Sequence, residues 1–237
     1  VSRSFQEIPV RRGLTRSEFL SEHVLARRPV VIRGALANWK ALQWTPERLK
    51  EAGGSRMLQY RTERGVEGGR WADLVERVFK GDGSAPYLRN IDLKAQLPGL
   101  AMDIEPIPSY SADNWRSHPL MPSRWPGEVR KDLYELFLSR ADTRFPYLHM
   151  DYWGMSAFFA QLYGEKEVIL FPPDDAACLY PTPANPLVSA IQDFDTPDLD
   201  AFPLLRQARQ HRVTLAPGDL LYNPRWWHTT RTLKPSM

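Results

Sequence analysis

Residues 145–173, FPYLHMDYWGMSAFFAQLYGEKEVILFPP, and residues 211–224, HRVTLAPGDLLYNP, decide the fold. Within them SAFFAQLY (156–163), KEVILFPP (166–173), HRVTL and LLYNP are short runs of β-branched and aromatic residues, separated by Gly and Pro. Runs of this length and composition read as strands, being too short and too interrupted for helices. LYELFLS at 133–139 opens the series, and only the acidic stretch 197–210 between them reads as a helix. Short strands punctuated by turns predict a mainly β sandwich or barrel.

Upstream of this core the periodicity changes. Residues 15–25, TRSEFLSEHVL, place Phe19, Leu20, Val24 and Leu25 on one helical face, and RPVVIRG (28–34) is a buried strand closed by Gly34. Thr45 followed by Pro46 is an N-cap with proline at the first helical position, and Gly53-Gly54 ends that helix. MLQYR (57–61) predicts a strand and WADLVERVFK (71–80) a helix. Residues 95–127 carry Pro98, Pro106, Pro108, Pro119, Pro122 and Pro126 and read as long connections. The expectation is one domain: an N-terminal α/β elaboration over 1–130, then a barrel core over 131–237.

Composition limits the alternatives. With 237 residues, 43% hydrophobic and 25% charged, the chain is not of a disordered class, and no apolar run approaches membrane-spanning length. The first 30 residues do not read as a signal peptide, and the single cysteine, Cys178, excludes an internal disulfide framework. A cytoplasmic location, without a membrane, is the expectation. The net charge of +3 is unevenly spread: residues 1–80 carry 16 basic and 9 acidic groups, whereas 141–200 carry 2 and 10. The arginines are scattered instead of gathered on one stripe, so a nucleic-acid partner is not expected.

His149 and Asp151 form an H-x-D pair, whose side chains would share one face if the segment is a strand. His228 follows another strand and a tight turn in LLYNPRWWH. Two histidines and a carboxylate on one side of a metal leave the other side open, the facial arrangement of non-haem Fe(II) oxygenases. H-x-D alone is a weak signal, and a lone histidine is more often a hydrogen-bonded structural group. His23, His118 and His211, with no carboxylate at strand spacing, fit that plainer description.

The combination is more specific. FPYLHMDYWGMSAFFAQLYGEKEVILFPPDDAACLYP, DFDTPDLDAFP and LAPGDLLYNPRWWHTT together resemble the JmjC/cupin-like 2-oxoglutarate oxygenases, most of all the branch of the asparaginyl hydroxylase that inhibits hypoxia-inducible factor. The resemblance implies a double-stranded β-helix in which His149, Asp151 and His228 hold Fe(II). It also implies that Lys166, in Gly164-Glu165-Lys166, and Tyr87, in APYLRN, bind the distal carboxylate of 2-oxoglutarate. A dicarboxylate entering an apolar barrel needs such a buried cation. The implied reaction is hydroxylation of a C–H bond with O2 and 2-oxoglutarate, on a peptide or protein side chain or on a free amino acid or other small molecule. The aromatic residues Tyr152, Trp153, Phe158, Phe159, Trp226 and Trp227 are expected to line or support the cavity.

Two departures bear on the substrate. Ala157 stands where the asparaginyl hydroxylase has a cofactor-contacting asparagine, and Leu187-Val188-Ser189 stands where it grips its target amide. Asparagine is therefore not the expected target. A non-catalytic metal-binding cupin would predict a damaged triad or a missing lysine, and a zinc hydrolase would leave Lys166 without a task.

Overall fold

Glu165–Phe171 has apolar residues packing on both faces: Val168 and Leu170 enter one apolar cluster, Ile169 and Phe171 another. A strand covered on both sides belongs in the middle of a sheet, and that is its place. The computed structural model describes residues 5–80, 83–111 and 134–237.

Among the described residues the strands form three four-stranded sheets. The first runs β1 (Gln6–Glu7), β10 (His211–Leu215), β9 (Glu165–Phe171), β12 (Trp227–Lys234). The second runs β2 (Val10–Arg12), β3 (Val30–Arg33), β11 (Asp219–Asn223), β8 (Ala157–Ala160). These two enclose the candidate site in a mainly β jelly-roll arrangement. The third runs β5 (Gly65–Arg70), β4 (Met57–Thr62), β6 (Leu88–Asp92), β7 (Glu135–Leu138). All strand pairs are antiparallel except β1 with β10 and β2 with β3.

The helices follow their sequence signals. Thr15 and Glu18 form a reciprocal capping box that starts α1 (Arg16–Phe19), which widens into a π turn over Leu20–Val24. Thr45 caps α2 (Pro46–Gly53), and the Trp71 indole at the head of α3 (Trp71–Phe79) donates to the Leu49 carbonyl. Trp71, Trp44, Leu49 and Leu88 share a core that reaches Leu220 of β11 and so fastens the third sheet to the second. Among the described residues no helix is long and apolar enough to cross a membrane.

Several expectations change. The sheets do not divide at residue 130: β1, β2 and β3 complete the two barrel sheets, while β7 pairs with β6 in the third. Residues 197–210 form no α-helix but a turn on the Asp198 carboxylate and a short 3-10 segment, Pro203–Gln207, because proline and Asp-centred hydrogen bonds compete with helical ones. β5 and β6 were not legible as strands. His118 and Leu133 lie outside the described residues.

Candidate metal centre

His149 lies outside the regular strands, in isolated bridges to both His228 and Val188. Its N–H donates to the His228 carbonyl at 3.0 Å and its carbonyl accepts from the His228 N–H at 2.7 Å. On the other side Met150 N–H donates to Leu187 O at 2.9 Å. Leu187–Ser189 thus supports the ligand segment from behind and is not part of the cavity wall. Asp151 is extended (φ −64°, ψ 146°) and precedes a 3-10 turn, Tyr152–Gly154. The H-x-D pair therefore spans a strand-like bridge and a turn instead of a regular strand, yet its side chains still converge.

One ligand-capable atom from each of His149, Asp151 and His228 lies within 4.8 Å of the other two. His149 Nε2 is 3.9 Å from Asp151 Oδ1, too far for a hydrogen bond and suited to two donors sharing an ion. Asp151 Oδ2 is buried with no hydrogen-bond partner among the described residues. Burial pushes the His149 imidazole down to about 2, and neighbouring His228 adds to the shift, so the ring is neutral as a metal ligand must be. Phe145 stacks on His149 at 4.8 Å between centroids, and Phe159 meets His228 edge-on at 5.4 Å. His228 Nδ1 lies 3.0 Å from both the Trp226 carbonyl and Asn223 Nδ2. With its Nδ1 proton on that carbonyl, the ring turns a bare Nε2 to the site, the orientation that outer groups impose on metal-binding histidines. The residues fit a divalent ion.

The three side chains open into a cavity of about 720 Å³ between the two barrel sheets. Lys166 lines it from β9, is 8% exposed, and donates to the Tyr87 hydroxyl at 3.1 Å. Its ammonium also lies 5.1 Å from the Tyr87 ring centroid, and among the described residues no carboxylate forms an ion pair with it. A buried cation lacking a counter-ion is costly, and an anionic ligand would relieve that cost. Thr230 of β12 also lines the cavity, with its buried Oγ1 lacking a partner among the described residues.

The structure brings the five residues named from the sequence, His149, Asp151, His228, Lys166 and Tyr87, to one cavity. Thr230, Asn223 and Phe145 join them unforeseen, although the Asn-Pro turn before His228 signals a local hydrogen-bonding device. Of the tryptophans expected to line or support the cavity, Trp226 and Trp227 support it and Trp153 does neither. Trp226 and Trp227 pack into clusters behind the site, and Trp153 is 67% exposed at φ 60°. Among the described residues, the tryptophans that line the cavity are Trp39 and Trp44, alongside Phe158 and Phe159.

Known proteins match along most of this length. The chain is 29% identical to "HSPB1-associated protein 1 homolog" of Danio rerio over 88% of its residues, spanning 50% of that protein. It is 26% identical to "tRNA wybutosine-synthesizing protein 5" of Gallus gallus over 93% of its residues and 71% of that protein. It is 28% identical to "Jumonji C domain-containing protein 5" of Drosophila melanogaster over 97% of its residues and 58% of that protein. The chain thus spans about half the length of the first of these relatives. The matches point to JmjC-type proteins in general and do not single out the asparaginyl hydroxylase branch. Residues 16–237 match the model of the cupin-like domain, and the chain belongs to that family.

Proposed function

We propose that the protein is a 2-oxoglutarate-dependent Fe(II) dioxygenase that hydroxylates a C–H bond of an amino-acid side chain in a peptide or protein. The observation that carries this reading is one cavity holding both a His-Asp-His cluster and a buried, uncompensated lysine. His149, Asp151 and His228 would hold the iron. When bound, Fe(II) with 2-oxoglutarate supplies the oxidising chemistry: O2 is consumed, the co-substrate becomes succinate and CO2, and C–H becomes C–OH.

The chain's own residues then have definite tasks. The Lys166 ammonium and the Tyr87 hydroxyl hold the distal carboxylate, and Thr230 Oγ1 offers a further donor. Phe158, Phe159 and Val168 form an apolar wall that excludes water and strengthens those charge-assisted hydrogen bonds. Phe145 and the Trp226 carbonyl fix the two imidazoles, which lets the substrate bond be positioned against a rigid centre. A zinc hydrolase would leave Lys166 without a partner.

A tRNA nucleoside substrate is a second reading, favoured by the match to the wybutosine-synthesizing protein over 93% of the chain. The acidic lining residue Glu135 favours a peptide, because a polyanion would be repelled there. Anaerobic calorimetric titration tests the proposal. Binding of 2-oxoglutarate to the Fe(II)-loaded protein, and its loss in Lys166→Met, is the expected result; equal binding by both proteins would contradict it.

A further inference from the structure

We propose that Arg89 is a positioning residue for the metal centre, holding the His149 imidazole in place through the Phe145 and Tyr147 rings. The proposal rests on the reading of His149, Asp151 and His228 as metal ligands and adds a residue that stands behind them. Arg89 is 4% exposed, and among the described residues no carboxylate forms an ion pair with it. A buried guanidinium without a counter-ion is costly, so its other partners must offset that cost.

The two histidines are held in different ways. His228 Nδ1 is tied to the Trp226 carbonyl at 3.0 Å, whereas His149 Nδ1 is buried and makes no hydrogen bond among the described residues. The Tyr147 and His228 carbonyls come near the His149 ring without the geometry of one. Aromatic rings orient it instead. Phe145 stacks on His149 at 4.8 Å between centroids and 14° between planes, and Tyr147 meets His149 edge-on at 5.2 Å. Phe145 and Tyr147 also meet each other edge-on, at 5.0 Å.

Arg89 binds both of these rings at once. Its guanidinium carbon lies 5.0 Å from the Phe145 centroid and 5.8 Å from the Tyr147 centroid, a cation–π arrangement that burial strengthens. Nη1 donates to the Tyr147 hydroxyl at 3.4 Å, and Nη2 donates at 2.6 Å to the carbonyl of Thr62, the last residue of β4. The planar fork of arginine reaches two acceptors while lying over aromatic faces, which the point charge of lysine does not. A bulge puts the side chain there. β6 slips against β7 between Leu88 and Ile91, so that Arg89 and Asn90 together oppose Phe137, and Asn90 takes φ 55°. Leu88 and Arg89 are both buried although they are successive in a strand; bulges re-aim side chains beside a site in this way. The third sheet therefore reaches a metal ligand through one side chain, from Thr62 to Arg89, to the two rings and to His149.

The test is titration of the purified chain with Mn(II), followed by the paramagnetic resonance of the free ion, with Tm measured on the same samples. Arg89→Met and Phe145→Leu are each expected to weaken Mn(II) binding about 10-fold, the lower end of the range for groups that orient metal ligands. Because Arg89 acts through the rings, the double variant should stay within about threefold of Phe145→Leu alone, where independent effects would multiply. Phe145→Tyr keeps a stacking ring and should restore the affinity. Val75→Ala, in the core of α3, should lower Tm without changing Mn(II) binding. Visible absorption of bound Co(II), which reports ligand geometry, should shift in Arg89→Met and not in Val75→Ala. If Arg89→Met does not fold, Arg89→Lys takes its place, with an expected loss of about threefold because the fork is lost. Wild-type affinity in the Arg89 variant, multiplied losses in the double variant, or an equal loss in Val75→Ala would each overturn the proposal. If the wild-type chain binds Mn(II) and the Arg89 variant binds it equally, the positioning role fails alone; if the wild-type chain binds none, the metal-centre reading fails with it.

Discussion

His149 and His228 exchange both backbone hydrogen bonds, at 3.0 and 2.7 Å, so their imidazoles leave directly opposed positions with centroids 4.2 Å apart. The spacing of two of the three candidate ligands is thus set by the backbone, before any ion binds. Asp151 follows on a turn and completes the group. A site arranged in this way loses little entropy on binding, which is the physical meaning of preorganisation.

The outer contacts of His228 should control metal affinity. Asn223 holds the Trp226 turn, since its Oδ1 accepts from the Trp226 N–H at 2.8 Å and its Nδ2 donates at 3.2 Å to the Trp226 carbonyl that takes the His228 Nδ1 proton. Asn223→Ala is expected to weaken binding of Fe(II) or Mn(II) by about 10–100-fold, measured by titration with a competing chelator. An unchanged affinity would remove Asn223 from the account.

Lys166→Met should weaken 2-oxoglutarate binding by about 30–200-fold, the value of ~2–3 kcal/mol for a charge-assisted hydrogen bond. Tyr87→Phe and Thr230→Val each remove one hydroxyl and should cost about 3–10-fold, in line with a neutral hydrogen bond. Calorimetry on the three variants checks both the values and their order.

How much of this was legible in the sequence follows from local physics. β8, β9, β10 and β11 announce themselves because their apolar runs are bounded by Gly and Pro, and His149, Asp151, His228 and Lys166 sit at recognisable positions on or beside such runs. β5, GVEGGR, is half glycine and lacks strand propensity; its pairing along β4 comes from the tight turn between them. β6 was hidden by its bulge, since Asn90 at positive φ breaks the alternation that marks a strand. Thr230 and Glu135 could not be read as site residues, because their roles depend on which face of a strand meets the cavity. Two- and three-residue strands such as β1 and β2 carry no periodicity, and tertiary pairing alone defines them.

Gly164→Ala tests the turn that delivers Lys166. Gly164 has φ 72°, and a Cβ there would lie 2.0 Å from the Pro235 carbonyl oxygen. The backbone must shift, at an expected cost of at least ~2 kcal/mol and a fall in Tm of about 4–8 °C. Because Lys166 is two residues away, affinity for 2-oxoglutarate should fall as well. A variant with wild-type Tm and affinity would show that this turn is not constrained.

Acid should destabilise the fold in a defined window. Burial lowers the His23 and His211 pKa values below the ordinary 6.5, with Arg209 adding to the effect at His211. Below pH 6.5 the unfolded chain takes up protons that the folded chain refuses, so stability falls as pH drops from 7 towards 5. His149 acts in the same sense in metal-free protein. Thermal unfolding across that range should show the decline, and His23→Leu should flatten it; a slope unchanged by that variant would contradict the assignment to His23.

Whether this cavity couples Fe(II) to 2-oxoglutarate is read directly from succinate formation by the purified protein supplied with Fe(II), O2 and 2-oxoglutarate. Slow, iron-dependent conversion that is abolished in His149→Ala and rises with the true substrate is the expected result. Succinate formed at the same rate by His149→Ala, or without iron, would contradict it.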